Sequence, residues 1–248
     1  FLRLHPLLDD GWSTGAEGAC DHGRTVSIDL TADDTTFRAG LRAGHRGDVD
    51  RAVRDGVRVD VVAGPDVDDP ALVAFRDLYA ATMDRVGADP YYAFPDAYYA
   101  ALVAGLGDDL LVLVARGPDG APLAGALFTA RVSSGVGQYH LSGTAGGSGL
   151  QATKLVVATA RRVLRDRGLS VLHLGGGRGA EEDSLFRFKA GFAPGRHTYR
   201  SLRRVLDPAE YARRCAAVGV DPASGDTGHF PAYRAGVRAA PPGRGTVR

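Results

Sequence analysis

The stretch Arg187-Phe-Lys-Ala-Gly-Phe192 combines a charged nitrogen with apolar neighbours, a pairing that can do chemistry. Phe188 and Phe192 would hold the stem of Lys189 and let its ammonium face a developing oxyanion. Composition by itself favours a plainer role, a surface lysine whose stem lies on the aromatics while its charge stays in water. Just upstream, Gly175-Gly-Gly-Arg-Gly-Ala180 lets the backbone turn sharply or pass close to another group. Free N–H groups in such a run can bind an anion or a phosphate. This run and Gly147-Ser-Gly-Leu-Gln-Ala152 both have the outline of a dinucleotide fingerprint. Neither opens a βαβ unit with an acidic ribose ligand, so a nicotinamide site is not expected.

His140 and His173 lie in or beside predicted strands, with Ser142, Asp183 and Ser184 near in sequence. A Ser-His-Asp hydrolase on an α/β sheet would show a G-x-S-x-G elbow, and none occurs. Lone strand histidines are more often satisfied core residues. No His-x-x-x-His pair or carboxylate cluster has metal-ligand spacing, so no metal is expected.

These residues must be positioned by the elements around them. Thr25–Leu30 alternates and is β-branched, and Val57–Val62 reads as a second strand, with a short charged helix over Arg46–Asp55 between them. Residues 63–70 have the composition of a linker, and a domain boundary is expected there. Leu72, Phe75, Leu78, Tyr79 and Met83 recur at helical spacing over 71–86. A second helix starts at Pro95. Strands follow over 109–116, 123–132 and 136–142, the first two joined by Gly117-Pro-Asp-Gly120 as a hairpin. A long helix spans 149–167, then a strand 170–174, a short helix 183–190 with Asp183 as N-cap, a strand 197–206 and a helix starting at Asp207-Pro208. Two helices, an antiparallel meander, a long helix, then strand, helix and strand make an α/β protein with a mixed sheet. The tail 239–248 is expected to be disordered.

The chain has 248 residues, 44% hydrophobic and 24% charged, enough for a core of useful size. A formal net charge of +1 does not mark it as a nucleic-acid binder by bulk electrostatics. Arg161, Arg162, Arg165 and Arg167, and Arg196, His197, Arg200, Arg203 and Arg204, form local basic clusters; solvated faces are their ordinary reading. Cys20 and Cys215 match no metal spacing and read as reduced thiols of a cytoplasmic protein. No apolar run approaches the ~20 residues that span a bilayer. The sequence opens at Phe1 inside what reads as a structured segment, so preceding residues in the natural protein are expected.

Four segments resemble the Fem family of nonribosomal peptidyltransferases and its GNAT-like relatives. They are Leu78-Tyr-Ala-Ala-Thr-Met-Asp-Arg85 with Tyr91-Tyr92, then Gln138-Tyr-His-Leu-Ser-Gly-Thr144, then Ala152-Thr-Lys-Leu155. The fourth is His173-Leu-Gly-Gly-Gly177 with Asp183-Ser-Leu-Phe-Arg-Phe-Lys-Ala-Gly-Phe192, whose Phe-Lys-x-x-Phe element after a glycine-rich strand end is the most specific. The resemblance implies a GNAT-like fold, with a partial first domain over 1–62 and a complete acyltransferase domain over 71–218. It implies an aminoacyl-tRNA donor whose ester is attacked by an amine of a peptidoglycan precursor or small peptide-like acceptor. No cofactor is implied beyond that co-substrate.

Carried over residue by residue, the resemblance makes Lys189 the oxyanion stabiliser and places Phe188 against the terminal adenosine. Tyr139 would hydrogen-bond donor or acceptor. Arg85, Tyr91 and Tyr92 would hold an anionic acceptor, since a guanidinium forks onto carboxylate or phosphate. His173 and Gly176, at the strand end and in its glycine run, join the substrate-binding set. Acyl-CoA-using GNAT enzymes carry a basic residue at the head of the phosphate loop. The equivalent Thr144-Ala-Gly-Gly-Ser-Gly-Leu-Gln151 has none, which favours aminoacyl-tRNA over acyl-CoA. An acyl-CoA-dependent N-acyltransferase and a non-catalytic module binding a precursor or RNA are the alternatives.

Overall fold

The computed structural model describes residues 1–9, 11–147 and 149–235, and the expected disordered tail lies outside them. Compact packing divides the chain into a larger unit, Arg24–His197, and a smaller one, Phe1–Gly23 with Thr198–Arg248. In the smaller unit β1 (Leu2–Leu4) pairs antiparallel with the end of β8 (Gly195–Leu202). The helix α7 (Pro208–Ala217) starts at Asp207, whose carboxylate accepts from Glu210 N, and buries Cys215.

The larger unit carries β2 (Ala19–Asp29), α1 (Asp34–Gly40), α2 (Ala43–Arg54) and β3 (Arg58–Ala63). It continues with α3 (Pro70–Arg85), α4 (Asp96–Leu106), β4 (Leu110–Arg116), β5 (Pro122–Arg131) and β6 (Val136–Thr144). Then come α5 (Gly149–Asp166), β7 (Val171–Gly175) and α6 (Ser184–Ala190). Its strands lie in the order β2-β7-β6-β5-β4-β3, antiparallel throughout except for the parallel pair β6 and β7. The elements follow the expected mixed α/β order. The expected boundary at 63–70 falls inside this unit, because β3 pairs with β4 along its whole length and α2 packs on α5, where Lys154 meets Asp48.

The sheet is a middle layer. Successive strand residues point to opposite faces, and β4 is buried on both. Leu111, Leu113 and Ala115 join one core with Phe128, Tyr139, Val156, Val157, Leu164, Leu172 and Phe186. Val112 and Val114 join the other, with Leu72, Phe75, Leu78 and Tyr79 of α3 and Tyr99 of α4. This double burial explains why β4 reads as a continuous apolar run. On the second face α3 lies directly on β6, because Gly143 carries no Cβ: one added there would stand 2.5 Å from the Leu78 carbonyl carbon and the Tyr79 nitrogen.

Two irregularities shape the centre. Leu127 pairs with Leu141 but Phe128 pairs with Tyr139, so His140 is an extra residue, a β-bulge. The bulge puts Tyr139 in the first core and Leu141 against the second, although their spacing alone would put them on one face. One residue earlier, the pairing of β6 with β7 ends at Gln138 and His173, while both strands run on. The strands therefore part after the rung of Gln138 and His173, beside Tyr139 and the glycine run that follows His173.

Candidate active site

Lys189 sits on α6, which Asp183 starts: its carboxylate accepts from Phe186 N at 2.9 Å. Phe186 and Phe192 bury themselves on one side of that short helix and turn Lys189 inward. Lys189 is only 9% exposed, which overturns the surface-lysine reading. Its Nζ donates to Gly176 O at 2.7 Å and lies 5.9 Å from the Tyr139 ring centroid. Burial lowers the ammonium's pKa to about 8, with Asp183 pulling the other way. The apolar neighbours predicted from sequence thus bury the whole side chain, because β7 and its glycine run close over it. Gly175, at φ +78, comes so near that a Cβ there would lie 3.4 Å from Nζ.

Tyr139 is buried beside this amine, its ring 5.3 Å from that of Phe128. Burial raises its phenol to about 12, and a hydrogen bond with the Ser142 side chain acts against the rise. His173 is buried and its Nδ1 donates to Gln138 Oε1 at 2.6 Å, on the last paired rung of β6 and β7. The structure therefore brings together Lys189, Gly176 and Tyr139, with His173 on the rung where the strands part.

Phe188 is half-buried, edge-on to Phe192 at 5.3 Å and 5.5 Å from the His45 ring. His45, buried on α2, donates from Nε2 to Phe188 O at 2.8 Å and pins the last turn of α6. Burial lowers the His45 pKa, with the hydrogen bond to Phe188 O acting the other way. Nothing in sequence spacing links His45 to a helix more than a hundred residues away.

Arg85, the last residue of α3, reaches the far end of β6. Its guanidinium donates to Thr144 Oγ1 at 2.8 Å and Thr144 O at 3.1 Å, at the end of β6. It thereby places a cation at the head of the turn Ala145–Gly147, in the position where the sequence shows no basic residue. Tyr91 and Tyr92 lie on an exposed turn held by Asp89, whose carboxylate accepts from Tyr91 N. Tyr92 lines a cavity of about 370 Å³ with Arg76, Tyr79, Met83, Phe94 and Tyr99 between α3 and α4. Among the described residues no hydrogen bond or ring contact joins either tyrosine to Arg85 or Lys189. No group of three His, Cys, Asp or Glu among the described residues could hold a metal ion.

A mixed sheet whose central parallel strands, β6 and β7, part midway along β6 defines a fold of the GNAT type. The chain belongs to the GNAT acetyltransferase domain family, whose model matches residues 17–189. No curated protein sequence matches it. Among solved structures it is similar to the DUF2156 C-terminal domain of a protein described as a lysylphosphatidylglycerol synthetase from Agrobacterium fabrum. The TM-score there is 0.54 at 20% identity, over 81% of this chain and 66% of that one. It is similar also to FemX, with a TM-score of 0.55 at 16% identity over 76% of this chain and 65% of that one. The third is L-PGS from Bacillus licheniformis, at 0.51 and 13% over 73% and 60%. The chain thus spans less than two thirds of the length of each of these proteins. No helix among the described residues is long and apolar enough to cross a membrane.

Proposed function

We propose that this chain moves an aminoacyl group from an aminoacyl-tRNA to an amine of a peptidoglycan precursor or peptide-like acceptor. The observation that carries this reading is the buried Lys189 ammonium, fixed on Gly176 O where β6 and β7 part. The ester of an aminoacyl-tRNA is already activated, so catalysis needs positioning and a cation at the developing oxyanion. Lys189 supplies that cation from a dry site where its charge is little screened. Tyr139 closes one wall, and its phenol stays protonated as a donor. Phe188 offers an aromatic surface for the terminal adenosine. The solved neighbours named as FemX and as a lysylphosphatidylglycerol synthetase support this choice of donor.

One observation favours a second reading, an acyl-CoA-dependent N-acyltransferase. Arg85 brings a guanidinium to the turn before α5, which weakens the sequence argument against a CoA pyrophosphate there. The test is a donor comparison. The protein is mixed with charged total tRNA or with acetyl-CoA, each with a pool of amines, and products are followed by mass spectrometry with and without RNase. RNase-sensitive aminoacylation is expected. RNase-insensitive acetylation would transfer the site to the second reading.

A further inference from the structure

The helix that carries Lys189 is seven residues long, too short to keep its place without outside contacts. Its C-terminal end is held from α2. The Arg42 N–H donates to Gly191 O at 2.9 Å, and His45 Nε2 donates to Phe188 O at 2.8 Å. In sequence these two carbonyls stand on either side of Lys189. Gly191 is buried and lays its backbone against the imidazole: a Cβ there would stand 2.5 Å from His45 Cε1 and Nε2. The rings of Phe188 and Phe192 lie 5.5 Å and 4.7 Å from the same imidazole. Its other nitrogen, Nδ1, accepts from Arg42 Nη2 at 3.4 Å, which keeps the proton on Nε2. α2 is tied in turn to α5, where Lys154 meets Asp48.

We propose that His45 is the positioning residue for Lys189, setting the depth at which the ammonium stands under the glycine run that follows β7. The proposal rests on the acyl-transfer reading above, with either donor. His45 acts through the backbone of α6 and not by contact with the ammonium. Among the described residues Nζ makes one hydrogen bond, to Gly176 O, so its place depends on where α6 stands. Phe188 and Lys189 are neighbours in one helical turn, and a shift of the Phe188 carbonyl carries the lysine with it. An oxyanion stabiliser works only when it is already in place, and a displacement of about 1 Å costs on the order of 10²-fold in rate.

The depth of the lysine is readable in its own titration. Burial is the main cause that lowers its pKa from 10.5 to about 8. The titratable groups facing it are Asp183, which opposes the shift, and the Tyr139 phenol of β6. Those facing His45 are Arg42 and Asp48 of α2 and Lys154 of α5. If α6 loses its hold on His45, water reaches the ammonium and its pKa rises. The alkaline fall in rate then moves to higher pH. A histidine that served packing alone would change stability and leave that titration where it is.

The test compares wild type with His45→Leu, which fills the space but removes the donor, and His45→Gln, whose side-chain amide keeps one. Two quantities are followed. One is the pH–rate profile with whichever donor the wild type accepts. The other is the pH dependence of Lys189 labelling by acetic anhydride, located by mass spectrometry. We expect His45→Leu to lower kcat by about 10²-fold with KM within about twofold. Its alkaline limb and labelling midpoint should both move up from about 8 toward 10.5. His45→Gln should restore most of the rate and return the midpoint toward 8. Should His45→Leu fail to fold, Gly191→Ala carries the same test, because its Cβ pushes the imidazole away from α6. A slower variant whose labelling midpoint stays near 8 would make the histidine a packing residue. An unchanged kcat would remove it from the reaction, and either result overturns the proposal. Failure of the wild type with both donors would instead refute the acyl-transfer reading. Labelling needs no turnover, so its midpoints would still decide whether His45 sets the depth of the lysine.

Discussion

Replacing Lys189 with Met should make the protein more stable and nearly inactive. In the folded chain the ammonium's pKa is lowered from its ordinary value of 10.5 to about 8. Below pH 8 both folded and unfolded chains carry the proton, and the folded state bears the full cost of the buried charge. Between about pH 8 and 10.5 the folded chain gives up its proton first, so stability rises with pH and the cost is gone above 10.5. The difference corresponds to about 3 kcal/mol. Met keeps the volume but leaves Gly176 O without its donor, a loss of about 1–2 kcal/mol. The variant should therefore gain about 1–2 kcal/mol at pH 7, and by pH 10.5 the gain should have turned into a loss of about 1–2 kcal/mol. Urea unfolding at pH 7 and pH 10.5 measures both values. Activity runs the other way. At pH 7 Lys189 is roughly nine-tenths protonated, and losing an oxyanion stabiliser lowers kcat by about 10²–10³-fold. Lys189→Ala should lose at least as much activity, and in the wild type kcat should fall as pH rises through about 8. A less stable Lys189→Met with wild-type turnover, or a wild-type rate that climbs through pH 8, would refute a charged lysine at the reacting carbonyl.

Gly143→Ala should destabilise by about 1–3 kcal/mol, because its new Cβ meets the α3 backbone at 2.5 Å and neither element can yield cheaply; thermal unfolding reads this directly. Asp183→Ala removes the N-cap of α6 and should cost about 1 kcal/mol. It also removes the carboxylate that supports the Lys189 charge, so the high-pH loss of activity should move to lower pH, visible in a pH–rate profile. Donor binding should weaken steeply between low and physiological salt if tRNA is the donor; a flat response in a filter-binding titration would count against it.

Much of the fold was legible in the sequence because its signals are local. The helical spacing of Leu72, Phe75, Leu78 and Tyr79, the hairpin at Gly117–Gly120 and the cap at Asp183 each depend on a few neighbouring residues, and the structure places α3, β4, β5 and α6 accordingly. Lys189 was also visible as a candidate, through its flanking phenylalanines. Its burial was not, since a lysine between aromatics has the same sequence whether the strand above it is open or closed.

What only the tertiary structure decided is which residues meet. The bulge at His140 flips the faces of β6, so Tyr139 joins Lys189 while His140 faces Tyr98, and no residue type announces it. Arg85 serves the turn after Thr144 from a separate helix, and His45 holds α6 across the fold. Composition and periodicity fix the faces that must be hidden, and so the elements and their class. The distances that make a site come from register, strand separation and helix docking, which depend on contacts between segments far apart in the chain.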